Sequence, residues 1–119
     1  MSSQKRVERA PVVQILPYTT QVPFDKLVSI VEHTLVDNDV LTPLLMGDTS
    51  APVPSYGAIY RLIGDGTHAP VFAPIFKKAA SSGDYDSGPQ ILNLIIFLFD
   101  GFDYWYTITQ PVAVPLPPT

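Results

Sequence analysis

The chain has two histidines, His33 and His68, and no cysteine, so a serine or threonine nucleophile activated by an imidazole would have to use one of these two. Neither histidine stands near a serine-containing elbow, and neither has a second histidine as metal-ligand partner three or four residues further on. His68 closes the run Gly64-Asp65-Gly66-Thr67-His68, which has the glycine spacing of a phosphate-binding loop. No Gly-Lys-Ser/Thr or Gly-x-Gly-x-x-Gly completes it, and it follows a strand-like run without opening a helix, so it reads as a turn. Asp84 and Asp86, in Gly83-Asp84-Tyr85-Asp86-Ser87-Gly88, could bring alternate carboxylates to one cation as in half of a calcium loop, but the glutamate at the twelfth position is missing. Asp65, Asp100 and Asp103 fit turns and solvated loops. The sequence therefore predicts no catalytic residue, no metal ligand and no cofactor, and the chain is not expected to be an enzyme. Without thiols there are also no disulfides and no thiolate zinc or iron–sulfur sites.

The remaining chemistry is aromatic. Tyr56, Tyr60, Tyr85, Tyr104, Trp105 and Tyr106 could offer rings on which the apolar faces of sugars stack, with hydroxyl and indole groups for their edges. Aromatics at strand period more commonly fill a core or a subunit interface. Tyr56, Tyr104, Trp105 and Tyr106 are the candidates for either a ligand surface or an interface.

Composition limits what could position these residues. The 119 residues include 13 prolines, about twice the usual ~5%, which works against long helices. Only 15% of residues are charged, against about 25% in an ordinary domain, and 46% are hydrophobic. A formal net charge of −4 leaves no basic field for nucleic acid. Residues 1–10 lack the apolar stretch of a secretory signal, and the longest apolar run, 91–99, is short and interrupted by Asn93; no membrane span is expected. A mean hydropathy of +0.20 in so small a chain points to surface covered by partners.

Short apolar runs rich in Val, Ile, Leu, Tyr and Phe alternate with turn clusters at Asp37-Asn38-Asp39, Gly47-Asp48-Thr49-Ser50, Gly64-Asp65-Gly66 and Ser81-Ser82-Gly83-Asp84. Strands are predicted at 12–16, 27–36, 40–45, 58–63, 70–72, 91–99 and 102–109. Residues 25–36 also satisfy helical spacing through Leu27, Ile30, Val31, Thr34 and Leu35, but their β-branched content favours a strand. Asp100-Gly101 between two β-rich runs predicts a two-residue hairpin turn, because both positions tolerate positive φ. In that register Phe99 faces Phe102, Phe97 faces Tyr104 and Ile95 faces Tyr106, while Ile96 faces Trp105 on the other side. The first strand is then apolar on both faces, which places it centrally in a sheet with a second layer or another subunit over its outer side. The expected fold class is all-β, an antiparallel β-sandwich of jelly-roll type.

Residues 1–21 read as an extended N-terminal arm, with Lys5, Arg6 and Arg9 against Glu8 making its start basic in an acidic chain. Residues 22–110 form the β-sandwich domain. Residues 111–119 hold Pro111, Pro115, Pro117 and Pro118 alternating with Val112, Val114 and Leu116, a polyproline-like C-terminal strap. Lys5, Arg6, Arg9, Pro111, Val114, Pro115 and Leu116 are the expected subunit or capsid contacts.

Over about residues 22–110 the pattern Tyr60-Arg61-Leu62-Ile63-Gly64-Asp65-Gly66-Thr67-His68-Ala69-Pro70-Val71-Phe72, then Phe76-Lys77-Lys78, the Gly83-Asp84-Tyr85-Asp86 loop, Asn93-Leu94-Ile95-Ile96-Phe97-Leu98-Phe99-Asp100-Gly101 and Asp103-Tyr104-Trp105-Tyr106-Thr107-Ile108-Thr109-Gln110 resembles the small β-sandwich domains of tailed-bacteriophage virion proteins. Such domains occur at tail-fibre tips and in capsid decoration or head-fibre proteins. The resemblance implies a structural or adhesive virion protein without enzymatic activity, commonly a homotrimer, located on the capsid surface or tail and assembled in the host cytoplasm. The chain shows no trimerising shaft, heptad or collagen-like segment, which favours a capsid decoration or cement protein binding the major capsid protein or other virion proteins. A receptor- or glycan-binding tip module, with a host glycan as ligand, is the alternative.

Overall fold

A computed structural model describes residues 15–25, 28–44 and 56–111. These residues are all-β, with nine strands and no helix: β1 (Ile15–Leu16), β2 (Gln21–Val22), β3 (Ser29–Thr34), β4 (Val40–Pro43), β5 (Gly57–Ile63), β6 (Val71–Phe72), β7 (Phe76–Lys78), β8 (Leu92–Phe99) and β9 (Tyr104–Thr109). The ambiguous stretch around Ile30 is extended, as its β-branched residues favour. The predicted strands at 12–16, 27–36 and 40–45 run partly outside the described residues.

The strands form two sheets, one of six in the order β1-β3-β5-β8-β9-β7 and one of three in the order β2-β4-β6. The expectation of purely antiparallel pairing is corrected here: only β5–β8 and β8–β9 are antiparallel, while β1–β3, β3–β5, β7–β9, β2–β4 and β4–β6 are parallel. The cause lies in the path of the chain. From β1 to β6 successive strands alternate between the two sheets, so sheet neighbours are two strands apart in sequence and the chain returns to each sheet in the same direction. Parallel neighbours need long crossovers; from β1 to β6 each crossover contains a strand of the other sheet, and the β7–β9 crossover contains β8 of the same sheet.

One face of the large sheet and residues of the small sheet share a single core. Val31, Ala58, Tyr60, Leu62, Ile95, Phe97, Phe99, Tyr104 and Ile108 contribute from the large sheet, Val22 and Leu41 from the small one, and Phe24 and Ala73 from segments beside it. Tyr60 lies at the centre, fully buried, with its ring edge-on to Phe97 at 5.3 Å. Its hydroxyl donates to the Thr19 carbonyl at 2.7 Å, which ties the β1–β2 connection to β5. Burial pushes the Tyr60 hydroxyl pKa up, so it remains a neutral donor.

The β8–β9 hairpin forms, with β8 inside the sheet, but its register differs from the predicted one by two residues. Phe99 pairs with Tyr104, Phe97 with Tyr106 and Ile95 with Ile108. The turn is a four-residue loop, Asp100 to Asp103, because Oδ1 of Asp100 accepts the backbone N–H groups of Phe102 and Asp103 at 2.8 and 2.7 Å. Gly101 supplies the positive φ of 101° that the loop requires.

Candidate functional site

The described residues contain no cluster of three or more His, Cys, Asp or Glu side chains able to hold a metal ion. Asp84 and Asp86 do not converge: Asp84 forms an ion pair with Lys78, whereas Oδ1 of Asp86 accepts the Gly88 N–H at 2.8 Å. The Asp84–Lys78 hydrogen bond lowers the carboxyl pKa and raises that of the amine. The glycine-containing loop at 64–68 closes on its own carboxylate. Oδ1 of Asp65 accepts the N–H groups of Thr67 and His68 at 2.9 Å each, and Oδ2 lies 2.6 Å from Nδ1 of His68. These bonds, chiefly those with His68, hold the Asp65 carboxyl down at about 2. A loop whose amides are already occupied in this way has little left to offer a phosphate. His33 stacks on Tyr18 with ring centroids 3.8 Å apart, and the Tyr18 hydroxyl donates to Oδ2 of Asp39 at 2.7 Å. No serine or threonine side chain is hydrogen-bonded to either histidine among the contacts described.

The adjacent aromatics 104–106 separate by strand alternation. Tyr104 is buried, edge-on to Phe24 at 5.0 Å and tilted against Phe99 at 4.7 Å. Tyr106 stacks on Phe72 at 3.9 Å, joining β9 to β6. Trp105 takes the opposite face, half-buried, with its indole N–H donating to Oδ2 of Asp100 at 2.8 Å. Tyr56 is half-buried just before β5, and its carbonyl accepts the Phe99 N–H at 3.2 Å. Pro111 is exposed; Lys5, Arg6, Arg9, Val114, Pro115 and Leu116 lie outside the described residues.

The most distinctive surface is the outer face of the six-stranded sheet. The pairings align Ile15, Ile30, Ile59, Ile96 and Thr107 in one row across β1, β3, β5, β8 and β9. In the next row Gly57, Leu98, Trp105 and Lys77 follow one another, with Val28 at the β3 end. Ile96 and Leu98 are 43% and 41% exposed in the middle of a sheet, and Val28 is 55% exposed. Such a row of aliphatic side chains open to water is unusual in a free monomer. A depression of about 120 Å³ lies over Gly57, lined by Val28, Ile59, Ile96 and Leu98. Gly57 is required there, since a Cβ would lie 1.9 Å from the Phe97 carbonyl oxygen. Ion pairs border the apolar strip, Arg61 with Glu32 at 3.7 Å and Lys77 with Asp103 at 3.0 Å. An apolar centre with a charged rim has the anatomy of a protein interface.

A polar cluster at the far end of β8 carried no recognisable sequence signal beyond the single Asn93 in an apolar run. Asn93 is fully buried. Its Oδ1 accepts the Asp86 N–H at 2.8 Å and Nε2 of Gln110 at 2.6 Å, while its Nδ2 donates to the Asp86 carbonyl at 2.8 Å. Gln110 Nε2 also reaches the Asp84 carbonyl at 2.7 Å. Burial pushes the neighbouring Tyr85 hydroxyl up to about 12.

No protein-family model, curated protein or solved structure matches the chain.

Proposed function

We propose that the chain is a structural virion protein, a capsid decoration or cement protein that binds the capsid surface as an oligomer, commonly a trimer for such proteins, and reinforces it. The observation that carries this reading is the apolar strip centred on Ile96 and Leu98, which has the composition of a surface meant to be covered. The two sheets with their shared core are read as the two layers of a sandwich, flanked by terminal arms that extend its contact area; the mixed strand order takes the place of a regular jelly-roll. The basic N-terminal arm and the proline-rich C-terminal strap supply contacts to neighbouring subunits and to the major capsid protein without enlarging the core. On this reading the protein belongs to the virion, after assembly in the host cytoplasm.

The test is co-sedimentation with tailed-phage heads assembled without the chain. The expected result is recovery in the pellet at a fixed ratio to capsid subunits, with a native mass above one chain. A monomer that stays in the supernatant at saturating concentration overturns the reading.

A receptor- or glycan-binding tip module is the second reading, favoured by Trp105, a ring on the outer face beside the Asp100 carboxylate. A glycan array with Trp105→Ala as control separates the two. The structural reading expects no sugar hit.

A further inference from the structure

The apolar strip and the C-terminal strap have matching chemistry, and the geometry at the end of β9 determines which molecule can bring them together. Gln110 continues one residue beyond β9, and its side-chain amide is held by Asn93 and by the Asp84 carbonyl. β9 runs from Tyr104, opposite Phe99, through Trp105, opposite Leu98, to Thr109, opposite Leu94. At Pro111, the last described residue, the chain therefore heads off the Leu94 end of the sheet, away from Ile96 and Leu98.

From that exit, residues 112–119 read Val-Ala-Val-Pro-Leu-Pro-Pro-Thr, without a charge. Eight residues in polyproline form span about 25 Å, and the six residue steps from Leu92 to Leu98 along β8 span about 20 Å. The prolines, which lack N–H groups, suit a segment lying across a sheet face and not one adding to an edge. The N-terminal arm fits this strip poorly, since Lys5, Arg6, Glu8 and Arg9 would bring charge onto aliphatic side chains.

The aliphatic strip is narrow, and its shape is matched by a single extended segment of about the length of β8.

We propose that residues 112–119 of one copy lie along the Ile96–Leu98 strip of a second copy, with an apolar side chain of the strap seated in the depression over Gly57. The exchange is heterologous, strap to face, so it propagates from copy to copy until it closes as a ring. The proposal rests on the oligomeric reading above and adds the contact that builds the oligomer.

The absence of cysteine makes the test direct. Leu98→Cys and Leu116→Cys are made separately in the full chain, mixed, and treated with a short bismaleimide. The expected product is a heterotypic cross-link of two 13.0 kDa chains, absent when either variant is treated alone. Ile96→Cys with Val114→Cys forms an independent pair, in case one substitution disturbs the fold. In a chain that carries both Leu98→Cys and Leu116→Cys, cross-linking confined to single chains overturns the exchange, because the strap then covers its own face. Self-linking of Leu98→Cys without a heterotypic product overturns it in favour of face-to-face packing. Absence of any cross-link in both pairs overturns it as well. Capsid co-sedimentation of the same variants keeps the two proposals separable: binding without cross-linking removes the strap exchange alone, whereas failure of the unsubstituted chain to bind removes the decoration reading.

Discussion

The Trp105 indole N–H donates to Oδ2 of Asp100 at 2.8 Å, while Oδ1 of the same carboxylate accepts the N–H groups of Phe102 and Asp103. One carboxylate thus closes the β8–β9 loop and fixes the ring that borders the apolar strip. These bonds, those from the Asp103 and Trp105 donors first among them, lower the Asp100 carboxyl pKa.

Trp105 is the only tryptophan, so its fluorescence reports this latch. Protonation of Asp100 weakens all three bonds, and the emission should titrate with a midpoint below the ordinary carboxylate value of about 3.9. Asp100→Asn should abolish that titration. An unchanged acid transition in the variant would mean that the latch does not control the ring.

Asp65 has the same linkage sign. Its folded pKa is lower than its unfolded one, so its contribution is present above about pH 4 and is lost as the pH falls towards its folded value of about 2. Asp65→Asn should therefore flatten the fall in urea midpoint between pH 5 and pH 2.5 relative to the unsubstituted chain. A parallel fall in both proteins would refute the assignment.

Asn93 is buried with every polar atom engaged, and Asn93→Leu would leave the Asp86 N–H and carbonyl and the Gln110 amide without their partner. Each unsatisfied buried group costs about 1–3 kcal/mol, so a loss of about 3 kcal/mol is expected in urea unfolding at pH 7. Gln110→Ala should cost less, since Asn93 keeps its bonds to Asp86.

Neighbouring positions on β8 should respond in opposite ways. Phe97→Ala removes a core ring packed on Tyr60, Phe72 and Phe76 and should cost about 3–5 kcal/mol. Leu98→Asp lies on the outer face and should change stability by less than about 1 kcal/mol while reducing the native mass to that of one chain. Gly57→Ala, whose Cβ meets the Phe97 carbonyl, should destabilise by about 2 kcal/mol or more. Urea midpoints together with light scattering separate these outcomes.

The hairpin was readable because Asp100-Gly101 marks the turn and residues 91–99 are apolar at every position but one. Its register was not, since the identity of Asp100 does not reveal that its side chain will accept two loop amides and lengthen the turn. The parallel order was also hidden. Asp37-Asn38-Asp39 marks where the chain turns, but β3 and β4 on either side of it belong to different sheets, and a turn signal does not state a destination. β2 and β7, two and three residues long, are too short to show a period. Of the candidate aromatics, alternation along β9 placed Trp105 outside and Tyr104 inside, whereas the outer strip depends on register across five strands and emerges only once they are paired.

The alternation of the chain between two sheets also determines how it must fold. Among the described strands only β8 and β9 are neighbours in both sequence and sheet; every other pairing there closes a loop that contains at least one further strand. Contacts of such sequence separation place a domain among slow folders, on the scale of milliseconds to seconds. Among the described strands the hairpin is thus the nucleus that can form locally, and β5 must find β8 before β3 and β1 have an edge to join. During that interval the aliphatic residues of β8 are uncovered on both sides, so a nascent chain is most vulnerable to aggregation at the same strand whose outer side chains, Ile96 and Leu98, stay exposed in the folded protein.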